Sequence, residues 1–274
     1  MLMLAFAEGT AAQAQGVLAR ARETGKVTIG IFNQAPWGFV DTNGEVKGQS
    51  VDVAKAALAL LGITKVEPVV TEFGALVPGL QARRFDVIAA GFYIKPERCK
   101  VVAFGNPDIR MTETFLVMKG NPKSLHSYTD VAKSSAILAV NRGSVDVGYA
   151  TDAGVPKERL MQVPDVPSGL SALLAGRADA FAATIATITA MAAANNTLER
   201  AEPFAPPVDA EGKVKYDYSA VAFREADSDF RDAYNGALKK LHESGKLLEI
   251  LKKYGYSENE VPPVEVTAGQ LCNR

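Results

Sequence analysis

The sequence has few of the residues from which metal and nucleophile sites are usually built. Among 274 residues there are two histidines, His126 and His242, and two cysteines. His242-Glu243 lacks the second histidine four residues on that a zinc-protease helix requires. Gly74 and Gly79 are not followed by Lys-Ser or Lys-Thr, so a phosphate-binding P-loop is missing as well. We therefore expect neither chemistry, and we predict no metal and no other cofactor.

A surplus of either charge is also lacking. Thirty basic residues stand against 31 acidic ones, which gives a net charge of −1. This balance gives no electrostatic reason to expect nucleic acid or an anionic membrane surface as a partner. Beyond the N-terminus, no segment reaches the roughly 18 apolar residues of a membrane span. With 47% hydrophobic residues, the chain is long enough to bury a core in each of two lobes.

The N-terminal residues resemble part of an export signal. The apolar run 2–7 is shorter than a usual hydrophobic region and has no basic residues before it, but Ala12-Gln13-Ala14 fits a signal-peptidase site. We interpret residues 1–24 as a signal remnant, with Gln15 as the mature start, followed by a short helix that ends at Thr24. A frayed N-terminal extension is the alternative.

The stretch 71–100 organises the rest of the sequence. Apolar residues at helical spacing predict a helix that ends in two arginines, and residues 85–90 predict a short buried strand that Gly91 terminates. Ligands bind at the carboxyl ends of strands in an open α/β sheet, so we place the predicted site in the loop after this strand. That loop is crowded with aromatic and charged residues: Phe92, Tyr93, Lys95, Glu97 and Arg98.

A pattern in this stretch recurs later in the chain. Leu80-x-Ala82-x-Arg84-x-Asp86 is repeated as Leu173-x-Ala175-x-Arg177-x-Asp179, at a constant offset of 93 residues. The repeat predicts two related α/β lobes with a ligand cleft between them. We assign residues 25–115 and 220–274 to lobe I and residues 116–219 to lobe II. Two extended crossover strands, within 112–118 and 216–223, would form a hinge.

The remaining elements follow from hydrophobic periodicity and turn residues. Ser50 is the predicted N-cap of the helix over 50–61, residues 41–44 predict a hairpin turn, and residues 257–274 predict an extended strap. Strands are predicted over 27–31, 66–71, 137–140, 160–163 and 179–183, and further helices over 168–177, 228–240 and 245–254.

A set of short motifs resembles the periplasmic solute-binding proteins of polar amino-acid ABC transporters, family 3, from about Gly25 to Tyr256. The resemblance implies a type II periplasmic binding protein: two three-layer α/β lobes joined by two crossover strands. It also implies a periplasmic monomer that binds a small zwitterionic ligand and docks on an ABC permease in the inner membrane. The motifs are Ala35-Pro36-Trp37, Lys95-Pro96-Glu97-Arg98, Arg142-Gly143-Ser144, Gly176-Arg177-Ala178-Asp179-Ala180 and Lys252-Lys253-Tyr254-Gly255.

The resemblance assigns the ligand carboxylate to Arg98 and Ser144. An arginine at this position of the family holds the carboxylate as a bidentate pair, which a lysine cannot reproduce. A small hydroxyl residue after Gly143 assists from the second lobe. Ordinary amino-acid binders carry an aspartate for the ligand's α-ammonium where this chain has Thr184, and a buried ammonium without its carboxylate is costly.

Within the family, the sequence is most similar to members that bind ectoine and 5-hydroxyectoine. Their aromatic cage has counterparts in Trp37, Phe73 and Tyr93, whose ring faces would surround a delocalised or alkylated cation. Those members have a glutamate where this chain has Gln34, and a threonine where it has Val145. The resemblance therefore leaves ectoine, a betaine such as proline betaine, and a related heterocyclic amino acid open as ligands.

The two cysteines, Cys99 and Cys272, lie far apart in the sequence. In an exported protein they suggest one disulfide that attaches the C-terminal tail to the lobe bearing the predicted site, while two unrelated thiols are the alternative. The ectoine-binding members have a similar Lys-Pro-Glu-Arg-Cys motif and a similar C-terminal Leu-Cys.

Three functional alternatives remain beside a compatible-solute transporter component. The first is a binding protein for an ordinary polar amino acid. The second is an enzyme similar to cyclohexadienyl dehydratase, which we disfavour because that chemistry needs a protonated acid over the ring and the predicted cleft residues include none. The third is a ligand-binding sensor domain, which would use the same cleft.

Overall fold

The computed structural model describes residues 16–208, 212 and 214–273. The predicted signal remnant falls on residues 1–15 and so lies outside the described residues. The helices are α1 Val17–Thr24, α2 Gln49–Ala59, α3 Leu76–Gln81, α4 Pro96–Cys99, α5 Tyr128–Lys133, α6 Val145–Asp152, α7 Val166–Leu174, α8 Ile185–Ala194, α9 Ser228–Glu243, α10 Lys246–Lys252 and α11 Ala268–Cys272. Short 3-10 turns cover Phe73–Ala75, Lys157–Arg159, Glu225–Asp227 and Glu258–Glu260.

The strands form two five-stranded sheets and two small ribbons. They are β1 Lys26–Ile31, β2 Phe39–Val40, β3 Val46–Lys47, β4 Lys65–Val70, β5 Val87–Ile88, β6 Ala103–Phe104, β7 Ile109–Met111, β8 Glu113–Met118, β9 Leu138–Asn141, β10 Leu160–Val163, β11 Ala180–Thr184, β12 Leu198–Arg200, β13 Asp217–Ser219 and β14 Ala222–Phe223. The sheet orders are β4-β1-β5-β14-β6 and β10-β9-β11-β8-β12. In each sheet, three parallel strands are followed by antiparallel partners.

Each sheet is covered by helices on both faces. Alternating residues of β1 and β5 pack against α2, α9 and α10 on one side, and α3 and α11 cover the other side of this sheet. The second sheet packs against α5 and α6 on one face and against α7 and α8 on the other. The predicted architecture of two three-layer α/β lobes is therefore confirmed.

The chain passes between the sheets through a short antiparallel ribbon. In it β7 pairs with β13, with Met111 opposite Asp217 and Ile109 opposite Ser219. The crossover strand predicted over 112–118 is wrong in its role, because β8 is a member of the second sheet and pairs with β11 and β12. The run 216–223 is likewise two strands, one in the ribbon and one in the first sheet. The lobe limits themselves remain our proposal.

Three local predictions differ from the structure. Ser50 is not an N-cap, since α2 begins at Gln49, and its hydroxyl instead accepts a hydrogen bond from the N–H of Gly91 at 2.8 Å. The strand predicted over 85–90 is shorter, Val87–Ile88, although the N–H groups of Asp86 and Ala89 on either side still donate to carbonyls of β1. The C-terminal tail is not wholly extended, because it contains Glu258–Glu260 and α11.

The repeated motif has the same structural role in both lobes. Asp86 accepts the backbone N–H of Thr28 at 2.9 Å, and Asp179 accepts that of Ile137 at 2.8 Å. Each aspartate thus ties β1 or β9 to the turn that leads into the neighbouring parallel strand, β5 or β11. Burial by itself would raise the pKa of Asp86, but hydrogen bonds from Thr28 and Arg20 outweigh it and lower that pKa.

Candidate ligand-binding site

All seven predicted site residues line a single cavity between the two sheets. They come from the loops that follow parallel strands of both lobes, where the open ends of the two sheets face each other. The seven are Gln34, Trp37, Phe73, Tyr93, Arg98, Ser144 and Thr184; the wall is completed by Ala90, Gly91, Glu113, Asn141, Val145, Asp146 and Ala183.

The three aromatic rings on the cavity wall are held by packing behind them. Trp37 is only 2% exposed and stacks on Tyr256 with ring centroids 6.2 Å apart. Gly91 has a φ of +63°, and a Cβ there would lie 2.7 Å from the Trp37 ring, so only glycine fits. Phe73 meets the Phe32 ring edge to face at 5.4 Å, and Tyr93 is buried in the core of the first lobe. The rings are therefore preorganised.

Arg98 reaches across the cavity from the first lobe to the second. Its guanidinium donates to the carbonyl of Tyr93 at 2.9 Å and to that of Gly143 at 2.8 Å. The same group lies over the ring of Phe92, 4.3 Å from the centroid, and 5.4 Å from that of Phe73. Burial lowers the pKa of Arg98 to about 10, so its charge persists at neutral pH.

Gln34 and Thr184 face the cavity but also join the lobes. The Trp37 indole N–H donates to Thr184 Oγ1 at 3.2 Å, and the same oxygen accepts the backbone N–H of Thr187 at 3.2 Å. Gln34 Nε2 donates to Thr187 Oγ1 at 2.9 Å. The Thr184 hydroxyl is thus already used as an acceptor, and it does not replace the aspartate of ordinary amino-acid binders.

Ser144 stands at the N-terminus of α6 and is engaged by an acid of its own helix. Its hydroxyl donates to Asp146 Oδ2 at 2.9 Å, and the Tyr128 hydroxyl donates to Asp146 Oδ1 at 2.6 Å. The two hydrogen bonds fix this corner of the second lobe. Burial nevertheless raises the pKa of Asp146 above its ordinary value.

Three polar residues of the wall were not predicted from the sequence: Glu113, Asn141 and Asp146. Glu113 and Asp146 are each 2% exposed, and Asn141 is 4% exposed. Among the described residues, neither Glu113 Oε1 nor Asn141 Oδ1 has a hydrogen-bond partner. A charged residue inside the apolar run 112–118 was the available signal for Glu113, since a strand interior tolerates an acid only for a reason.

Glu113 sits in an electrostatically unfavourable position. Burial, and then the neighbouring carboxylates of Asp146 and Asp217, raise the pKa of Glu113 well above its ordinary value. The Tyr93 hydroxyl lies close enough to influence Glu113 but forms no hydrogen bond of normal geometry. Lys95, whose charge acts to lower the pKa of Glu113, is held by an ion pair with Asp217. The cavity therefore contains an acid without a cation of its own.

The predicted disulfide is present, between Cys99 at the end of α4 and Cys272 at the end of α11. The two Cα atoms are 5.7 Å apart. Because Arg98 directly precedes Cys99, the tail is attached beside the residue that we assign to the ligand carboxylate.

Two kinds of feature are absent from the described part of the chain. It contains no group of three or more His, Cys, Asp and Glu side chains arranged to hold a metal ion. None of its helices combines the length and the apolar character that a membrane span requires.

Comparisons with known proteins agree with the fold and the cavity. Residues 27–257 match the bacterial extracellular solute-binding proteins, family 3. The chain is 38% identical over 259 residues to the probable amino-acid ABC transporter periplasmic-binding protein y4tE of Sinorhizobium fredii (strain NBRC 101917 / NGR234), which covers 93% of this chain and 86% of the relative.

Two solved structures are also similar. The crystal structure of EhuB in complex with hydroxyectoine aligns with a TM-score of 0.84 and 35% identity, over 93% of this chain and 97% of that one. The ancestral amino acid-binding protein AncCDT-1, a precursor of cyclohexadienyl dehydratase, aligns with a TM-score of 0.74 and 25% identity, over 88% and 99%. The chain belongs to the bacterial extracellular solute-binding proteins of family 3, and it is a solute-binding protein of an amino-acid-type ABC importer.

Proposed function

We propose that this protein captures a small zwitterionic compatible solute, ectoine, hydroxyectoine or a betaine such as proline betaine, in the periplasm. As a monomer, it presents the closed form to an ABC permease in the inner membrane. Arg98 holds the ligand carboxylate beside Ser144, whose one hydroxyl proton is donated to Asp146, and Trp37, Phe73 and Tyr93 surround the cation.

The observation that carries the proposal is the convergence of one arginine and three aromatic rings on a single cavity. Arg98 is half-buried beside the rings of Phe92 and Phe73, where a carboxylate can receive its two parallel N–H donors. The three rings offer roughly 0.5–2 kcal/mol each to a desolvated cation. The similarity to EhuB, solved with hydroxyectoine, supports the same ligand class.

A binding protein for an ordinary polar amino acid is the nearest alternative. In such proteins an aspartate at the position of Thr184 would receive the α-ammonium. Here the Thr184 hydroxyl accepts from Trp37 and from the backbone of Thr187, so that role is not open to it. A delocalised or ring cation, which the aromatic faces stabilise, fits the wall better.

One residue of the cavity wall favours the dehydratase alternative, and the charge of the wall argues against it. Glu113 is a buried acid whose pKa is raised, which the predicted cleft residues did not provide. Prephenate, however, carries two carboxylates, and Arg98 is the one cationic side chain on the described cavity wall beside two acids. We therefore expect no decarboxylative dehydration when the protein is incubated with prephenate and phenylpyruvate formation is followed by absorbance.

The direct test is a thermal-shift screen followed by calorimetric titration. The panel contains ectoine, hydroxyectoine, glycine betaine, proline betaine, proline, arginine, glutamine and histidine. A ligand present at 100 times its Kd stabilises the protein by about 2.7 kcal/mol, which such a screen detects easily. Shifts with ectoines or betaines support the proposal. Shifts confined to arginine, glutamine or histidine would overturn it in favour of an amino-acid binder.

Two variants test the assigned roles. Arg98→Lys keeps the charge but loses the fork, so we expect at least about tenfold weaker binding. Arg142→Lys is the matched control, because Arg142 is exposed at the rim and pairs only with Glu72 at 3.4 Å. Phe73→Leu keeps an apolar side chain but removes the ring face, which should weaken binding by about two- to thirtyfold. Undiminished affinity in both site variants would refute the assignments.

A further inference from the structure

Two hydrogen-bond acceptors on the cavity wall have no donor in the described part of the chain. Glu113 Oε1 and Asn141 Oδ1 are buried acceptors that have no partner in the described part of the chain. Both residues line the same cavity, one from the first residue of β8 and one from the end of β9. Buried acceptors are almost always paired in native proteins, so two on one wall indicate what the wall is built to meet.

The other polar groups on the wall are largely satisfied. Ser144 donates to Asp146, and Thr184 accepts from the Trp37 indole. Gln34 Nε2 donates across the cleft to Thr187. None of these groups is directed at Glu113 or Asn141, and the Tyr93 hydroxyl near Glu113 makes no hydrogen bond of normal geometry. The two acceptors are therefore open to donors from a ligand.

The charges around Glu113 point the same way. The groups that act electrostatically on Glu113 are Tyr93 and Lys95 from the loop after β5, Asp217 from β13 and Asp146 from α6. Lys95 is taken by its ion pair with Asp217, and among the described residues no ion pair includes Glu113. A cation brought by the ligand would be the first partner for this carboxylate.

We propose that the ligand's cation carries N–H groups, which Glu113 Oε1 and Asn141 Oδ1 receive, so that the protein selects amidinium zwitterions of the ectoine type over quaternary ammonium betaines. The inference rests on the proposed function and narrows its ligand class. An aromatic cage stabilises either kind of cation, but a quaternary nitrogen has no N–H and would leave both acceptors buried and unpaired. Recognition of the cation is thereby moved from positions 34 and 184 to Glu113 and Asn141.

The first experiment compares two probes of similar size by calorimetric titration of the wild-type protein. Ectoine carries a carboxylate and a ring amidinium with N–H groups, whereas proline betaine carries a carboxylate and a quaternary nitrogen without any. We expect ectoine to bind at least about tenfold more tightly, because proline betaine leaves the acceptors unmet. Equal affinity, or tighter binding of proline betaine, overturns this inference but leaves the proposed function standing. If neither these probes nor hydroxyectoine or glycine betaine binds, the proposed function itself fails.

The second experiment uses Glu113→Gln, with Glu72→Gln as a matched control on the exposed rim. The variant removes the charge and leaves the fold intact, because Glu113 has no ion-pair partner to lose; its melting temperature should equal or exceed that of the wild type. Ectoine affinity should fall by about tenfold or more in Glu113→Gln, since a hydrogen bond to a buried carboxylate is lost, and should stay within about twofold in the control. Asn141→Leu should also lower the affinity for ectoine but should change the affinity for proline betaine little. Retained ectoine affinity in both Glu113→Gln and Asn141→Leu overturns the inference.

Discussion

Removal of the disulfide offers a test whose magnitude follows from the chain itself. Cys99 and Cys272 close a loop with a sequence separation of 173 residues. In the chain-entropy account, a cross-link over this length destabilises the unfolded state by about 5 kcal/mol at 25 °C, and native disulfides typically contribute 2–5 kcal/mol. We therefore expect the Cys99→Ser/Cys272→Ser variant to lose about 2–5 kcal/mol in the free energy of unfolding.

Urea denaturation followed by tryptophan fluorescence is the suitable assay. Trp37 is the single tryptophan of the chain and lies buried in the same lobe as the disulfide. Far-UV circular dichroism, recorded in parallel, reports whether the two lobes unfold together. Dithiothreitol serves as the control: it should bring the wild type to the stability of the double variant and leave that variant unchanged. A loss below about 1 kcal/mol would refute the reasoning, because the tail would then not be constrained by the cross-link.

Three further predictions follow from individual residues. Burial raises the pKa of Asp108 to about 7, above its unfolded value of about 3.9. The contribution of this group to stability is therefore complete below pH 4 and is lost as pH rises through 7. Asp108→Asn should flatten that decline and raise the free energy of unfolding at pH 8 by up to about 4 kcal/mol. Arg83 has a φ of +57° where the repeat has Gly176, so Arg83→Gly should stabilise by about 0.5 kcal/mol in chemical denaturation. Gly143→Ala would place a Cβ 3.3 Å from Gly74 across the cleft at a φ of +76°, so calorimetry should show about tenfold weaker ligand binding.

The sequence was a good guide wherever function depends on local motifs at strand ends. Parallel strands of one sheet end at the same edge, so residues that follow the strands converge without any knowledge of packing. Gln34 after β1, Tyr93 after β5 and Ser144 after β9 are examples, and all three line the cavity. The repeat at an offset of 93 residues predicted the two lobes because each half of the chain had to bury its own sheet.

Predictions failed where only tertiary contacts decide. Ser50 has the composition of an N-cap, yet its hydroxyl is spent on the Gly91 N–H, which orders the loop beside Trp37. The run 112–118 alternates like a crossover strand, and its membership in the second sheet depends on the pairing with β11. Glu113 was missed for this reason, because a residue at the start of a supposed connection gives no sign that it faces a ligand.

Some polar groups of the cleft are paired between the two lobes, and others are left without a partner in the described part of the chain. Gln34, Trp37 and Arg98 of the first lobe donate directly to groups of the second. These contacts stabilise closure whichever solute is inside, so they contribute little to discrimination, because a solute shifts the equilibrium only by its differential interaction with the two forms. Glu113 Oε1 and Asn141 Oδ1 have no such partners in the described part of the chain. In our proposal, a solute that supplies donors to them gains an interaction that other solutes lack, and selectivity depends on these two residues.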